Sequence, residues 1–176
     1  MLRQTHIATS ELIISLPILL THASLKTGAM LMIGTYLGAQ LPDIDHPKSA
    51  INKITGPVGK FFAAFGHRTL THCLLAWLFL LGFYPFMPTI YHLNLFYAGI
   101  LIGYLLHLIE DNFSRQGILW CYPLSHYQVA NNGHLYKKRP YKNYYYTTGG
   151  RGETVIYILS LLADLLIIYC LFKNWF

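Results

Sequence analysis

The run Leu93 to Asn112 is twenty residues long, apolar for most of its length, and closes on His107-Leu-Ile-Glu-Asp111. At about 1.5 Å per helical residue it reaches about 30 Å, the thickness of a bilayer's hydrocarbon core, so a helix here can cross a membrane alone. Imidazole and carboxylate are costly near headgroup depth, and membrane helices carry them where their chemistry is used. Two other stretches set polar groups against apolar runs in the same way. Leu41-Pro-Asp-Ile-Asp-His-Pro47 follows one such run, and His67-Arg-Thr-Leu-Thr-His72 stands directly before the apolar segment Cys73 to Phe86. We expect the three to meet.

The rest of the chain fits a membrane setting. Hydrophobic residues make up 54% and charged residues 11%, outside the range of an ordinary soluble domain. Cys73, Cys121 and Cys170 form no CxxC pair, which excludes a disulfide framework and a thiolate zinc site. Thr71 to Met87 is expected to span, as is Val155 to Phe172, with Glu153 well placed in its first turn. Gly28 to Leu41 carries Gly28, Ala29, Gly34, Gly38 and Ala39, small residues that let a neighbouring helix approach closely.

Residues 7 to 21 are less even, interrupted by Thr9, Ser10, Glu11 and Pro17. They partly imitate a signal peptide with an end near Ala23, but Glu11 and the hydroxyls dilute the apolar region, and we expect retention. Ser49 to Gly66 alternates lysines with apolar residues, as a helix or loop lying in the interface does, and Gly56-Pro57 should divide it. No internal repeat and no second domain is legible. The expectation is one all-α membrane bundle over residues 1–176, with four or five spans.

The formal charge is +6, with thirteen Lys and Arg. If all five apolar segments cross, eleven of those thirteen share one face and only Lys26 and Lys173 lie opposite, which predicts a cytoplasmic face for the larger set. The same arrangement brings His6, Asp43, Asp45, His46, His67, His72, His107 and Asp111 to that face, although none of them entered the count. The basic, tyrosine-rich run Tyr136 to Tyr146 can stack nucleic-acid bases, but beside membrane spans it reads better as a belt on anionic lipid headgroups.

His107 and Asp111, four residues apart, lie on one helix face and can hold the same cation, or can simply clamp two helices through a His–Asp hydrogen bond. Asp43 and Asp45, fenced by Pro42 and Pro47, should present oxygens on the same side of an extended loop. His67 and His72 are both ligand candidates, with His72 also a candidate acid catalyst, and Arg68 offers a planar fork to a substrate's anionic group. Thr69 or Thr71 would cap the helix that follows. His6 is a further ligand candidate, while Glu11, His126 and His134 are weaker ones. Imidazole and carboxylate without thiolate suit zinc first, then manganese or iron. Such a centre brings the pKa of bound water to about 7, which makes hydrolysis the natural reaction.

Together these residues resemble the YdjM-type family of bacterial inner-membrane proteins, regarded as metal-dependent hydrolases. The matching pieces are Thr5-His6, Leu41-Pro-Asp-Ile-Asp-His46, His67-Arg-x-x-Thr-His72, Gly103-Tyr-Leu-Leu-His107-Leu-Ile-Glu-Asp111, Gly117 and Pro123. The family is distantly similar to the zinc-dependent phospholipase C and P1 nuclease group of helical phosphodiesterases. That similarity implies that His107, Asp111, one Asp of the Asp43/Asp45 pair and a downstream His hold one metal, and that His6 serves a second. The resemblance names no substrate, and the function we expect is hydrolysis of a phosphoester in a lipid or lipid-linked compound reached from the membrane plane. Two other readings stand beside the hydrolase: a non-catalytic protein whose cation staples helices or regulates a partner, and an ion carrier, which would usually place its site near the bilayer midplane.

Overall fold

The computed structural model describes residues 1–124, 128–129, 135–136 and 146–175. Four long helices organise it: α1 (Arg3–Leu20), α2 (Leu25–Gly38), α6 (Leu93–Asn112) and α7 (Arg151–Trp175). Between α2 and α6 lie a 3-10 turn (Leu41–Asp45) and three short helices, α3 (Ala50–Thr55), α4 (Pro57–Ala63) and α5 (Leu74–Leu81). Gly56, at a φ of +57°, separates α3 from α4 where the Gly-Pro step was expected to divide the segment. A two-residue ribbon pairs β1 (Gln128–Val129) antiparallel with β2 (Leu135–Tyr136). His126, His134 and most of the tyrosine-rich run lie outside the described residues.

α2 packs along α6, and α1 along α7. Within each pair the helices run parallel, which gathers their ends into two opposed sets. At one end the backbone amide of Leu2 and that of Gly149 both donate to the Glu153 carboxylate, which joins the starts of α1 and α7. At the other, Trp175 donates from Nε1 to the Ala23 carbonyl at 2.8 Å.

The α2–α6 seam is a contact of backbones. A Cβ placed on Gly34 would stand 2.1 Å from the Phe96 carbonyl oxygen, and one on Gly103 would stand 2.3 Å from that of Thr35. Gly34 and Gly38 on α2 thus mesh with Gly99 and Gly103 on α6, two small-xxx-small repeats side by side. This close approach sets the distance between the C-terminal ends of α2 and α6, where the polar residues collect.

Among the described residues, two helices are long and apolar enough to cross a membrane, Ile90–Asn112 and Arg151–Lys173. Their outer faces are apolar: Leu159 and Leu166 of α7 are 62% and 65% exposed, as expected where lipid rather than water is the neighbour. The run Thr71 to Met87 passes along α6, from His72 beside His107 through Trp77 beside Leu101 to Leu80 beside Tyr97, but not as the one continuous helix expected of it. It is α-helical only over Leu74–Leu81, about 12 Å, and tightens into 3-10 turn at Tyr84–Phe86. Gly82 ends the helix, and Pro85 and Pro88 lack the amides to continue it.

Candidate metal centre

The polar end of the bundle is built by three segments. In the turn Leu41–Asp45, Pro42 presets the first backbone angle and the chain winds at three residues per turn, rather than extending as the sequence suggested. The winding still leaves an oxygen of Asp43 and one of Asp45 on the same side, in a group with His67 and His72 whose ligand-type atoms all lie within 4.8 Å of one another. The second segment is the loop 66–73, where Gly66 and Arg68 both take positive φ, +90° and +66°. For arginine that conformation is disfavoured and marks a position over-determined by its surroundings. The third is the last turn of α6.

Asp45 is buried and pins the loop. Its Oδ1 accepts from His67 Nδ1 at 2.8 Å, and its Oδ2 accepts from the Arg68 amide at 3.0 Å, Thr71 Oγ1 at 2.6 Å and His72 Nδ1 at 3.1 Å. Burial alone would raise its carboxyl, but His72 and His67 beside it hold it well below the usual carboxylate range. Burial pushes the His67 imidazole down, against the opposing pull of Asp45. Thr71 is therefore a partner of Asp45 and not a helix cap. Thr69 also turns away from capping, donating to the Phe65 and Gly66 carbonyls at 3.0 and 2.6 Å, and α5 begins at Cys73 with no side-chain cap.

Four ligand-type atoms converge beyond Asp45. His72 Nε2 lies 3.8 Å from Asp43 Oδ1, 3.8 Å from Asp111 Oδ2 and 3.3 Å from His107 Nε2. His107 Nε2 lies 3.8 Å from Asp43 Oδ1 and 3.9 Å from Asp111 Oδ2. Both imidazole nitrogens thus stand within 3.9 Å of an oxygen from each carboxylate. Ligands about 2.0–2.1 Å from a zinc ion stand roughly 3.3 Å apart, close to this spacing.

The hydrogen bonds behind the cage fix its chemistry. His107 Nδ1 donates to the Ala39 carbonyl at 2.7 Å, a contact delivered by the α2–α6 seam, and His72 Nδ1 donates to Asp45. With both Nδ1 atoms directed to acceptors, the two Nε2 atoms face each other at 3.3 Å, and rings protonated only at Nδ1 would meet there lone pair to lone pair. Two facing lone pairs between two carboxylates repel unless a positive charge lies among them. A divalent cation fits this donor set and matches the two carboxylate charges.

Asp111 faces two ways. Its Oδ2 borders the cage and accepts from Arg68 Nη2 at 2.7 Å, while its Oδ1 lies 3.4 Å from His6 Nε2 and accepts from the Met1 amino group. His6 stacks on His107, with ring centroids 3.7 Å apart, and hydrogen-bonds through Nδ1 to the Glu110 carboxylate. Its buried Nε2 has no hydrogen-bond partner and faces Asp111 Oδ1 at 3.4 Å.

Of the residues singled out in the sequence, Asp43, His72, His107 and Asp111 thus line one cage, and His6 borders it across Asp111. Asp45 holds His72 from behind. His67 hydrogen-bonds to Asp45 and, with Asp43, Asp45 and His72, forms a second group of ligand-type atoms within 4.8 Å of one another that adjoins the cage. Arg68, expected to face an anion, is 7% exposed and spends its fork on Asp111 and on Ser114 Oγ at 2.8 Å. Glu110 was missed. It accepts from Thr9 Oγ1 at 2.5 Å and orients His6, and the signal was present, since His6, Thr9 and Ser10 repeat at the i, i+3, i+4 spacing of one helix face. Glu11 and Asp164, each with a buried oxygen lacking a hydrogen-bond partner, belong to α1 and α7 and form no part of the cage.

Long apolar helices around a buried imidazole–carboxylate cage define the class: a helical membrane protein with a candidate metal centre near one end. The sequence model of the YdjM inner membrane protein family matches residues 1–176, and the chain belongs to that family. Its relatives include the inner membrane protein YdjM of Escherichia coli (strain K12) and that of Shigella flexneri, each 40% identical over 88 residues, 46% of this chain and 43% of theirs. The uncharacterized protein YvsG of Bacillus subtilis (strain 168) is 36% identical over 88 residues, 49% of this chain and 53% of its own. The chain thus spans about half the length of the curated relatives it matches. No solved structure matches it.

Proposed function

We propose that the protein is a membrane-bound, metal-dependent hydrolase acting on a phosphoester of a lipid or lipid-linked substrate. The observation that carries this reading is the approach of His72 Nε2 to His107 Nε2, 3.3 Å apart between Asp43 and Asp111. Asp43, His72, His107 and Asp111 hold one cation, zinc foremost and manganese or iron as alternatives, and His6 with Asp111 Oδ1 serves a second. When bound, the cation polarises a phosphoryl oxygen and makes water nucleophilic at neutral pH. Asp45 fixes His72 with Nε2 forward, Arg68 and Ser114 hold Asp111, and Glu110 turns His6. Asp43, whose side chain is 20% exposed, is the cage residue a substrate meets first, since His72 and His107 are fully enclosed.

In this reading four or five helical segments cross the bacterial inner membrane and the cage faces the cytoplasm. The excess of basic residues at that end supports the orientation. The distant similarity to the zinc-dependent phospholipase C and P1 nuclease group belongs to the same proposal. Metal analysis of the purified protein, followed by phospholipid and phosphodiester assays with and without chelator, tests it. Stoichiometric metal and chelator-sensitive turnover are expected, and their joint absence would defeat it.

One observation favours a second reading. The cage ties the turn after α2, the loop before α5 and the end of α6 together, and three of its four ligands are almost fully buried. A cation that only staples these segments would be retained with no turnover. The carrier reading has less support, because the polar residues gather at one end of the helices rather than at mid-span.

A further inference from the structure

Beside the cage runs an apolar groove of about 480 Å³, lined by Leu41, Ile44, Leu70, Ala76, Leu80 and Tyr104 among others. It shares its walls with the metal site. Leu41 and Ile44 belong to the same turn as Asp43, and Thr71, another lining residue, donates to Asp45 at 2.6 Å. Tyr104, one turn before His107 on α6, donates its hydroxyl to the Thr71 carbonyl and so closes the wall between groove and cage. The polar atoms nearest the groove are thus satisfied within the protein, and what they leave to an occupant is hydrocarbon.

The outer rim is α5, which has no buried residue; Leu75 and Phe79 are 50% and 68% exposed. In a protein of this family the medium against such a rim is lipid, not water. A volume of this size falls within the range of sites that enclose a small ligand. The groove is therefore bordered by lipid at its α5 rim, and its opposite wall, formed by the turn Leu41–Asp45, Thr71 and Tyr104, backs onto the cluster proposed to take a phosphoester.

We infer that the groove is an acyl-chain subsite: it takes one fatty-acyl chain of a phospholipid and so delivers that lipid's phosphoester to the cage. The inference rests on the hydrolase reading for what happens at the cage, but not for what fills the groove. Chain burial here would select two-tailed or one-tailed acyl lipids over water-soluble phosphodiesters, because each methylene placed in the groove adds favourable transfer free energy.

The test uses the full-length protein reconstituted in vesicles containing a phosphatidylglycerol with a diazirine at mid-chain, irradiated in the presence of chelator so that occupancy is read without hydrolysis. Peptide mapping should find adducts on Leu70, Ala76 and Leu80 enriched over those on Leu159 and Leu166 of α7, which face the same bilayer. In Ala76→Phe the groove adducts should fall about tenfold, as expected for excluding two or so methylenes, while the α7 adducts stay unchanged. Equal labelling of groove and α7 in the wild type would overturn the subsite. So would groove adducts that Ala76→Phe leaves intact.

If Ala76→Phe does not fold, competition in the wild type decides. Excess unlabelled phosphatidylglycerol should displace the probe from the groove, and displacement by an isoprenyl phosphate but not by phosphatidylglycerol would overturn the acyl assignment. The two readings fail separately: groove labelling without turnover of any phosphoester sinks the hydrolase and keeps the subsite, whereas phospholipid turnover without groove labelling does the reverse.

Discussion

Asp43 and Asp45 are separated by one residue and carry different duties, a distinction sequence alone could not draw. Both are carboxylates in the same motif and their oxygens stand close together, but Asp45 spends its oxygens on His67, the Arg68 amide, Thr71 and His72 Nδ1, whereas Asp43 faces His72 Nε2 and His107 Nε2 at 3.8 Å. Their substitutions should differ accordingly. Asp43→Asn removes a charged ligand and is expected to abolish stoichiometric metal in the purified protein. Asp45→Asn leaves all four ligand atoms in place but loosens His72, so metal affinity should drop by about 10–100-fold, with occupancy restored by excess metal in a titration. Asp111→Asn should collapse both bound metal and any turnover; unchanged metal content would remove Asp111 from the site.

Asp45 and His67 also predict a pH dependence. Each holds its proton less tightly when folded, so the unfolded chain binds more protons and acid favours unfolding. The loop should lose stability as pH falls below about 6.5, where the unfolded imidazole protonates, and more steeply below about 4, where the unfolded carboxylate does. Thermal melts in detergent across that range check this, and a midpoint that rises on acidification would contradict it. At this scale the sequence showed which residues gather. It did not show which nitrogen faces which oxygen, because that depends on Ala39 O and Asp45, fixed only by helix contact and loop winding.

Among the elements, the α2–α6 seam was half legible. Gly34 and Gly38 announced a close helix neighbour, while Gly99 and Gly103 read only as small residues in a strong span, since their partner is far away in sequence. Gly103→Val should push the backbones apart, destabilise the fold by about 1–3 kcal/mol or more, and weaken metal binding in step, because the Ala39–His107 hydrogen bond depends on the same approach. Parallel measurement of melting temperature and metal content would show whether the two losses travel together. The segment of α5 was expected as one continuous helix, and it runs beside α6 as a short α-helix followed by a 3-10 turn instead. An apolar run sets the medium a segment occupies, but Gly82, Pro85 and Pro88 set how far a helix can run through it.

Over the whole molecule, two opposed sets of helix ends agree with the partition of basic residues read from the sequence. Cysteines introduced at Lys53 and at Lys26 should be labelled by a membrane-impermeant reagent from opposite sides of sealed inner-membrane vesicles, Lys53 from the cytoplasmic side. Labelling of both from the same side would refute the proposed topology. The separation of the charges was legible because charge is a property of composition along the chain. The pairing of α1 with α7 was not, since the surfaces that meet, Ile14 and Ile18 against Leu171, carry no mark beyond hydrophobicity.

The cage ligands stand at positions 43, 72, 107 and 111, and half of them belong to the final turn of α6. During synthesis, Asp43 and His72 leave the ribosome long before their partners and can hold a cation only weakly between them. The cage therefore assembles when α6 has been made and has closed against α2, so under the proposed function metal acquisition would be a late step of biogenesis. Nascent chains arrested before residue 107 should carry no tightly bound metal, and those released after α6 has inserted should acquire it at once.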